Sequence, residues 1–119
     1  MPEASLVKAD LTHIRLSHTN LARANLTEAC LKVAELKHTN LRGAFLTKAD
    51  LTGADLAEAD LTEAYLDGTN LTGADLSGSN PQAAKTLTGA IMRNVRGFSD
   101  PQQRQKCRDM HAIVEDTED

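Results

Sequence analysis

The chain is 119 residues long, which suits one domain. It has no Trp, one Tyr and two Phe, too few rings for an ordinary core of this size, so smaller side chains must fill the interior. The net charge is −4, no basic patch is interleaved with aromatic residues, and no apolar run is long enough to span a bilayer; these features argue against direct nucleic-acid binding and against a membrane protein.

The start, Met1-Pro2-Glu3-Ala4-Ser5, lacks the basic-then-apolar pattern of a secretory signal, and a cytoplasmic protein is expected. Cys30 and Cys107 lie far apart and form neither a metal-ligand nor a redox spacing. They read as free thiols in a reducing compartment.

From residue 4 one pattern takes over. Leu stands at every fifth position from 6 to 76, fifteen times without a gap. Two residues before each Leu is a small or modest side chain: mostly Ala, with Ile14 and Thr19, Thr39 and Thr69 as the exceptions. Asp or Asn often lies between, as in Ala9-Asp10-Leu11, so the unit is A-(D/N)-L-x-x. A period of five suits neither regular element. On an α-helix successive Leu would advance by roughly 140° and scatter around the cylinder. On an unbroken strand they would alternate between faces. Leu and the residue two before it do share a strand face. Each unit is therefore a very short extended segment followed by a turn, and repeating the turn winds the chain around a Leu-filled axis. Gly at 43, 53, 68, 73 and 78 suits the left-handed position of a type II corner. Where Lys, His, Arg, Glu or Val replaces it, type I-like corners are expected.

Fifteen in-register units over residues 4–80 resemble the pentapeptide-repeat family. The resemblance implies an all-β, right-handed quadrilateral β-helix with four units per coil, here nearly four coils and about 18 Å of regular stack. Each Leu is then expected to be almost fully buried, worth roughly 1.5–3 kcal/mol before entropy is counted.

Pro81 falls where the next Leu is due and breaks the register. Leu87-Thr88-Gly89-Ala90-Ile91-Met92 repeats the motif of 71–76 one residue late and reads as a degenerate last turn within 85–95. This sets a β-helix over 1–96 and a second part, 97–119, made of a C-terminal capping α-helix and an acidic tail. Asp100-Pro101 is a helix start, and a helix of about 101–114 would bring Cys107, Met110, Ile113 and Val114 towards the open last coil. The first coil has no evident cap, and a homodimer through this N-terminal coil is expected.

With four units per coil, residues 20 apart share an outer column. One column holds Arg15, Glu35, Asp55 and Asp75, with Glu58 nearby; another sets Phe45 under Tyr65. These six residues other than Arg15 form the candidate partner-binding surface. His18 and His38 also stack, with His13 a corner away, but two imidazoles fall short of a metal site and read as solvated histidines. Asn20, Asn40, Asp60 and Asn80 read as corner-fixing side chains. Cys30, between Asp10 and Asp50, is a poor nucleophile because negative charge opposes thiolate formation. No nucleophile–base–orienter set, phosphate-cradling loop or cofactor motif can be assembled, so no enzymatic activity, metal or cofactor is expected. The expected role is a non-enzymatic interaction or spacer module with an unidentified protein partner. The alternative comes from the family resemblance: a DNA-mimicking inhibitor or protector of a type II topoisomerase such as gyrase. Residues 44–80 carry seven acids and one Lys, against four acids and six bases in 1–43. Duplex DNA presents about one negative charge per 1.7 Å.

Overall fold

The structure is a computed structural model that describes residues 3–115; the remainder of the acidic tail, 116–119, lies outside the described residues. The five-residue rhythm becomes a right-handed quadrilateral β-helix. Parallel one-residue bridges run up its sides. One column links Ser5, Asn25, Phe45, Tyr65 and Thr86; the next links Asp10, Cys30, Asp50 and Asn70; the third links Arg15, Glu35, Asp55, Asp75 and Arg96; the fourth links Asn20, Asn40 and Asp60. Each rung is tied both ways. Phe45, for example, donates its N–H to the Ala24 carbonyl at 2.9 Å and accepts from the Leu26 N–H at 2.7 Å.

The corners differ from expectation. The second residue after every repeat Leu has φ between 57° and 71°, whether it is Gly or not. Lys8, His13, His18, Arg23, Glu28, Val33, His38, Lys48, Glu58 and Glu63 all take the left-handed conformation, so the type I-like corners expected at side-chained positions do not form. Two main-chain hydrogen bonds impose this. The corner closes from the residue after it back to Leu, as in Ala34 N–H to Leu31 C=O at 3.1 Å. The left-handed residue itself donates to the next coil, as in Val33 N–H to Thr52 C=O at 2.9 Å. The stack over-determines a conformation that costs an L-residue about 1–2 kcal/mol.

The twelve Leu from 21 to 76 are at most 1% exposed. Leu6, Leu11 and Leu16, with Ile14, are only partly buried, because the first described coil is covered from one side alone. Thr39 and Thr69 replace Ala inside the stack, and their hydroxyls donate to the carbonyls of Leu16 (2.9 Å) and Leu46 (2.6 Å), so neither is buried unsatisfied.

Pro81–Ala83 form a 3-10 turn. It adds one residue to the coil, and the bridges above it join residues 21 apart: Tyr65 to Thr86, Asn70 to Ile91, Asp75 to Arg96. The fourth column stops at Asp60. There the Asn80 side-chain oxygen accepts the Leu61 N–H at 2.7 Å, where other coils use a main-chain carbonyl. Strand β1 (Ile91–Arg93) follows, then helix α1 (Pro101–Asp109) and strand β2 (Ile113–Glu115). Asp100 caps α1 through the Gln102 N–H at 2.9 Å, and Pro101 opens it. The helix is shorter than the 101–114 expected. His111 turns left-handed (φ 72°), its N–H bonds to Arg108 C=O at 2.9 Å, and Ala112 N–H bonds to Cys107 C=O at 3.1 Å. That is a Schellman end with His in the position Gly usually takes. Ile113 and Val114 then pair in parallel with β1 and add a sixth rung to the column of Asp10, Cys30, Asp50, Asn70 and Ile91. Cys107 and Phe98 are buried against the last coil and Met110 and Val114 pack on it, whereas Ile113, expected to face the core, points outward at 39% exposure.

Candidate functional site

The expected surface residues divide between two opposite sides of the four-sided coil. Phe45 and Tyr65 lie on the first column; Glu35, Asp55 and Asp75 lie on the third. The structure stacks the rings almost in parallel, with centroids 4.7 Å apart and an interplanar angle of 6°. Phe45 remains 39% exposed. Asn25 stands below the pair and Thr86 above it. At the adjoining corner is a shallow recess of about 450 Å³ lined by Lys48, Asp67, Gly68, Thr86 and Thr88. Asp67 accepts from the Thr47 hydroxyl at 3.1 Å and the Thr86 hydroxyl at 2.8 Å, which holds three coils in register beside the rings. The recess was not foreseen, because Thr86 reaches this column only through the residue inserted after Asn80.

On the opposite side Glu35, Asp55 and Asp75 bridge in sequence. Cations close both ends of the column. Arg15 Nε lies 3.6 Å from Glu35, and Arg96 is the rung above Asp75. The Ser77 hydroxyl and N–H hold the Asp75 carboxyl below the usual carboxylate range, with Arg96 and Lys37 adding to the effect. Glu58 sits at the corner beyond Asp55, and its carboxylate fills the space where a Cβ at Gly78 would fall. Neighbouring carboxylates are paired as well: Asp50 with Lys32 at 3.8 Å and Asp60 with Arg42 at 3.1 Å. Burial pushes the Asp60 carboxyl up, but hydrogen bonds from Thr62, Asn80 and Arg42 outweigh it and bring it down to about 2.

The Asp and Asn residues before Leu have a structural task. Their Oδ1 accepts the N–H of the first corner residue, as in Asn20 to Ala22, Asn40 to Arg42 and Asp60 to Thr62, each at 3.0 Å. Where that residue is Thr or Ser, its hydroxyl joins in, as in Thr52 to Asp50 at 2.6 Å. His18 and His38 stack with centroids 4.9 Å apart. Among the described residues no group of three or more His, Cys, Asp or Glu is placed to hold a metal ion. No helix of the described residues is long and apolar enough to cross a membrane. Cys30 lies between Asp10 and Asp50 with its sulfur 3.2 Å from the Thr12 hydroxyl, and burial raises the Cys107 thiol to about 11.

The family model for pentapeptide repeats matches residues 4–43, 31–68 and 44–80, in eight copies. No curated protein matches the chain at a significant level. Among solved structures, a pentapeptide repeat protein of the Arabidopsis thaliana thylakoid lumen is 28% identical over 88% of this chain and 78% of its own, with a TM-score of 0.52. HetL, a pentapeptide repeat protein involved in heterocyst differentiation regulation in the cyanobacterium Nostoc, is 29% identical, with a TM-score of 0.46; the match covers 95% of this chain and 60% of HetL. The plasmid-mediated fluoroquinolone resistance protein QnrB1 is 16% identical over 93% of this chain and 73% of its own, with a TM-score of 0.43, too slight a likeness to carry an argument.

Proposed function

The chain belongs to the pentapeptide-repeat family, and from that premise we propose that it is a non-enzymatic protein-interaction module whose Phe45–Tyr65 side receives a protein partner. One observation carries the reading. The chain has three aromatic residues; Phe98 is buried in the cap, while Phe45 and Tyr65 stand together on an outer face that the Leu-filled core does not need. A rigid, stacked ring pair offers contact area at small entropic cost and is a common anchor at interfaces. The recess beside it adds a lysine, a carboxylate and hydroxyls for directional contacts. The two free thiols suit a reducing, cytoplasmic setting.

The test is cross-linking and capture with the wild-type chain and with Phe45→Ser/Tyr65→Ser. The double variant is expected to lose a specific protein partner while keeping its far-ultraviolet circular dichroism. Capture that is indifferent to the loss of both rings overturns the proposal.

The acidic column favours a second reading, a DNA-mimicking topoisomerase inhibitor or protector, but supports it less well. Glu35, Asp55 and Asp75 span two rungs, about 10 Å, and Arg15 and Arg96 end the run. Inhibition of gyrase supercoiling that is abolished by Glu35→Gln/Asp55→Asn/Asp75→Asn would establish this reading over the first.

A further inference from the structure

Among the described residues the first coil is paired on one face only, and the pattern of the ladder shows what its other face offers. Cys30 and Glu35 both direct their main-chain groups back to the first coil. Cys30 N–H donates to Ala9 C=O at 2.9 Å and its C=O accepts from Leu11 N–H at 2.7 Å; Glu35 bonds to Ile14 and Leu16 in the same way, at 2.8 Å each. Asp10 and Arg15 are their bridge partners one rung earlier, in the same orientation. Each therefore directs both its N–H and its C=O off the open end, around partly exposed Leu6, Leu11, Ile14 and Leu16. A residue that presents both groups in one direction is self-complementary, because an antiparallel hydrogen-bonded pair exchanges both bonds.

We propose that the first coil binds a second copy of this chain, end to end, about a two-fold axis through the Thr12–His13 corner. An axis perpendicular to the solenoid reverses strand direction, so facing rungs meet antiparallel. At this corner it also exchanges the sides that carry Asp10 and Arg15. Asp10 then faces Arg15 of the partner subunit, and the pair occurs twice. The other two-fold axes of a square coil set Asp10 against Asp10, set Arg15 against Arg15, or place both opposite uncharged residues. Charge complementarity selects the Thr12–His13 corner. Both side chains are available: Asp10 is exposed, and the Arg15 side chain is 85% exposed, with Glu35 3.6 Å away. The molecule measures 36 × 25 × 21 Å. One turn of the first coil is 20 residues, so its end face is small and the contact lies at the lower limit for a specific interface. The dimer is accordingly concentration-dependent and weakened by salt.

Sedimentation equilibrium on the full chain over a range of concentrations tests this. Wild type is expected to move from monomer to dimer and to go no further, because a two-fold contact closes on itself. Arg15→Asp sets acid against acid and should weaken association at least tenfold, whereas Arg15→Lys should retain it. Asp10→Arg should also fail alone. An equimolar mixture of Arg15→Asp and Asp10→Arg should form a heterodimer, since each chain supplies what the other lacks. Circular dichroism checks that each variant folds; if Asp10→Arg does not, the contrast between Arg15→Asp and Arg15→Lys decides. A wild-type chain that stays monomeric throughout, or a dimer unmoved by Arg15→Asp, overturns the proposal.

Discussion

The two halves of the solenoid share one core and differ in their corners and ends. Between residues 3 and 38 all eight left-handed corner positions carry a side chain, including β-branched Val33. Between 43 and 78 five of the eight are Gly, and only Lys48, Glu58 and Glu63 are strained. The first half ends in a coil whose Leu residues are partly exposed; the second is closed by Phe98, Cys107, α1 and β2. Strain and exposure thus fall on the same half. The repeat makes each interior coil sufficient sideways, but only residues outside the repeat can finish an end. Amide exchange is expected to begin in the first coil and reach residues 44–80 last.

The largest effect should come from charging the core. Leu46 is 0% exposed, and Leu46→Lys should abolish cooperative folding. Leu6→Lys, in the half-covered coil, should leave residues 24–95 folded with a modestly lower thermal midpoint. Equal effects in a melting experiment would refute the claimed difference between the ends.

Next in size is the closed end. Phe98→Ala removes a ring that is 4% exposed and should cost about 3–5 kcal/mol in chemical denaturation. If the loss is under about 1 kcal/mol, the cap contributes little and the two ends are alike.

A smaller effect isolates the corners. Val33 and Gly53 occupy the same corner column, and a Cβ at 53 falls 3.7 Å from the Val33 side chain, an ordinary contact. Val33→Gly relieves a left-handed penalty of about 1–2 kcal/mol and costs about 0.5–1 in unfolded-state entropy, for a net gain near 0.5 kcal/mol. Gly53→Ala, which adds only that Cβ, should lose a similar amount. Denaturation midpoints that move in the same direction for both would show that corner strain does not distinguish the halves.

Most of the fold was legible because it is a repetition. Fifteen Leu in register specify the coil, the inward positions and the columns, and hence the Phe45–Tyr65 stack and the Glu35–Asp55–Asp75 run. What was not legible came from context overriding local preference. Lys8, His38 and Val33 individually resist positive φ, yet identical units in a hydrogen-bonded stack must adopt identical corners; the rhythm outranked the residue, and the regular spacing already held that signal. His111 ended α1 early for the same kind of reason, since the short β-branched run Ile113-Val114 gains more by joining β1 than by extending the helix. Arg96 was missed as the end of the acidic column because one inserted residue displaced it from the five-residue count.

The smallest expected effect contrasts two acids in equivalent corner roles, one inside the stack and one at the open coil. Asp60 is held down to about 2 because the hydrogen bonds from Thr62, Asn80 and Arg42 exceed the opposing effect of burial. Asp10 is also lowered, by the Thr12 hydroxyl and N–H. A carboxyl whose folded value lies below its unfolded one favours the folded state once ionised. For Asp60 that contribution is complete above the ordinary value of 3.8 and is lost as pH falls towards 2. Acid should therefore destabilise the chain in this window, with interior corners contributing more than the open one. Asp60→Asn should flatten the acid limb of a midpoint-against-pH curve, and Asp10→Asn should flatten it less. An acid limb unchanged by Asp60→Asn, or changed equally by both, would mean that corner carboxylates behave alike along the solenoid and that the difference between its ends is one of packing and backbone strain alone.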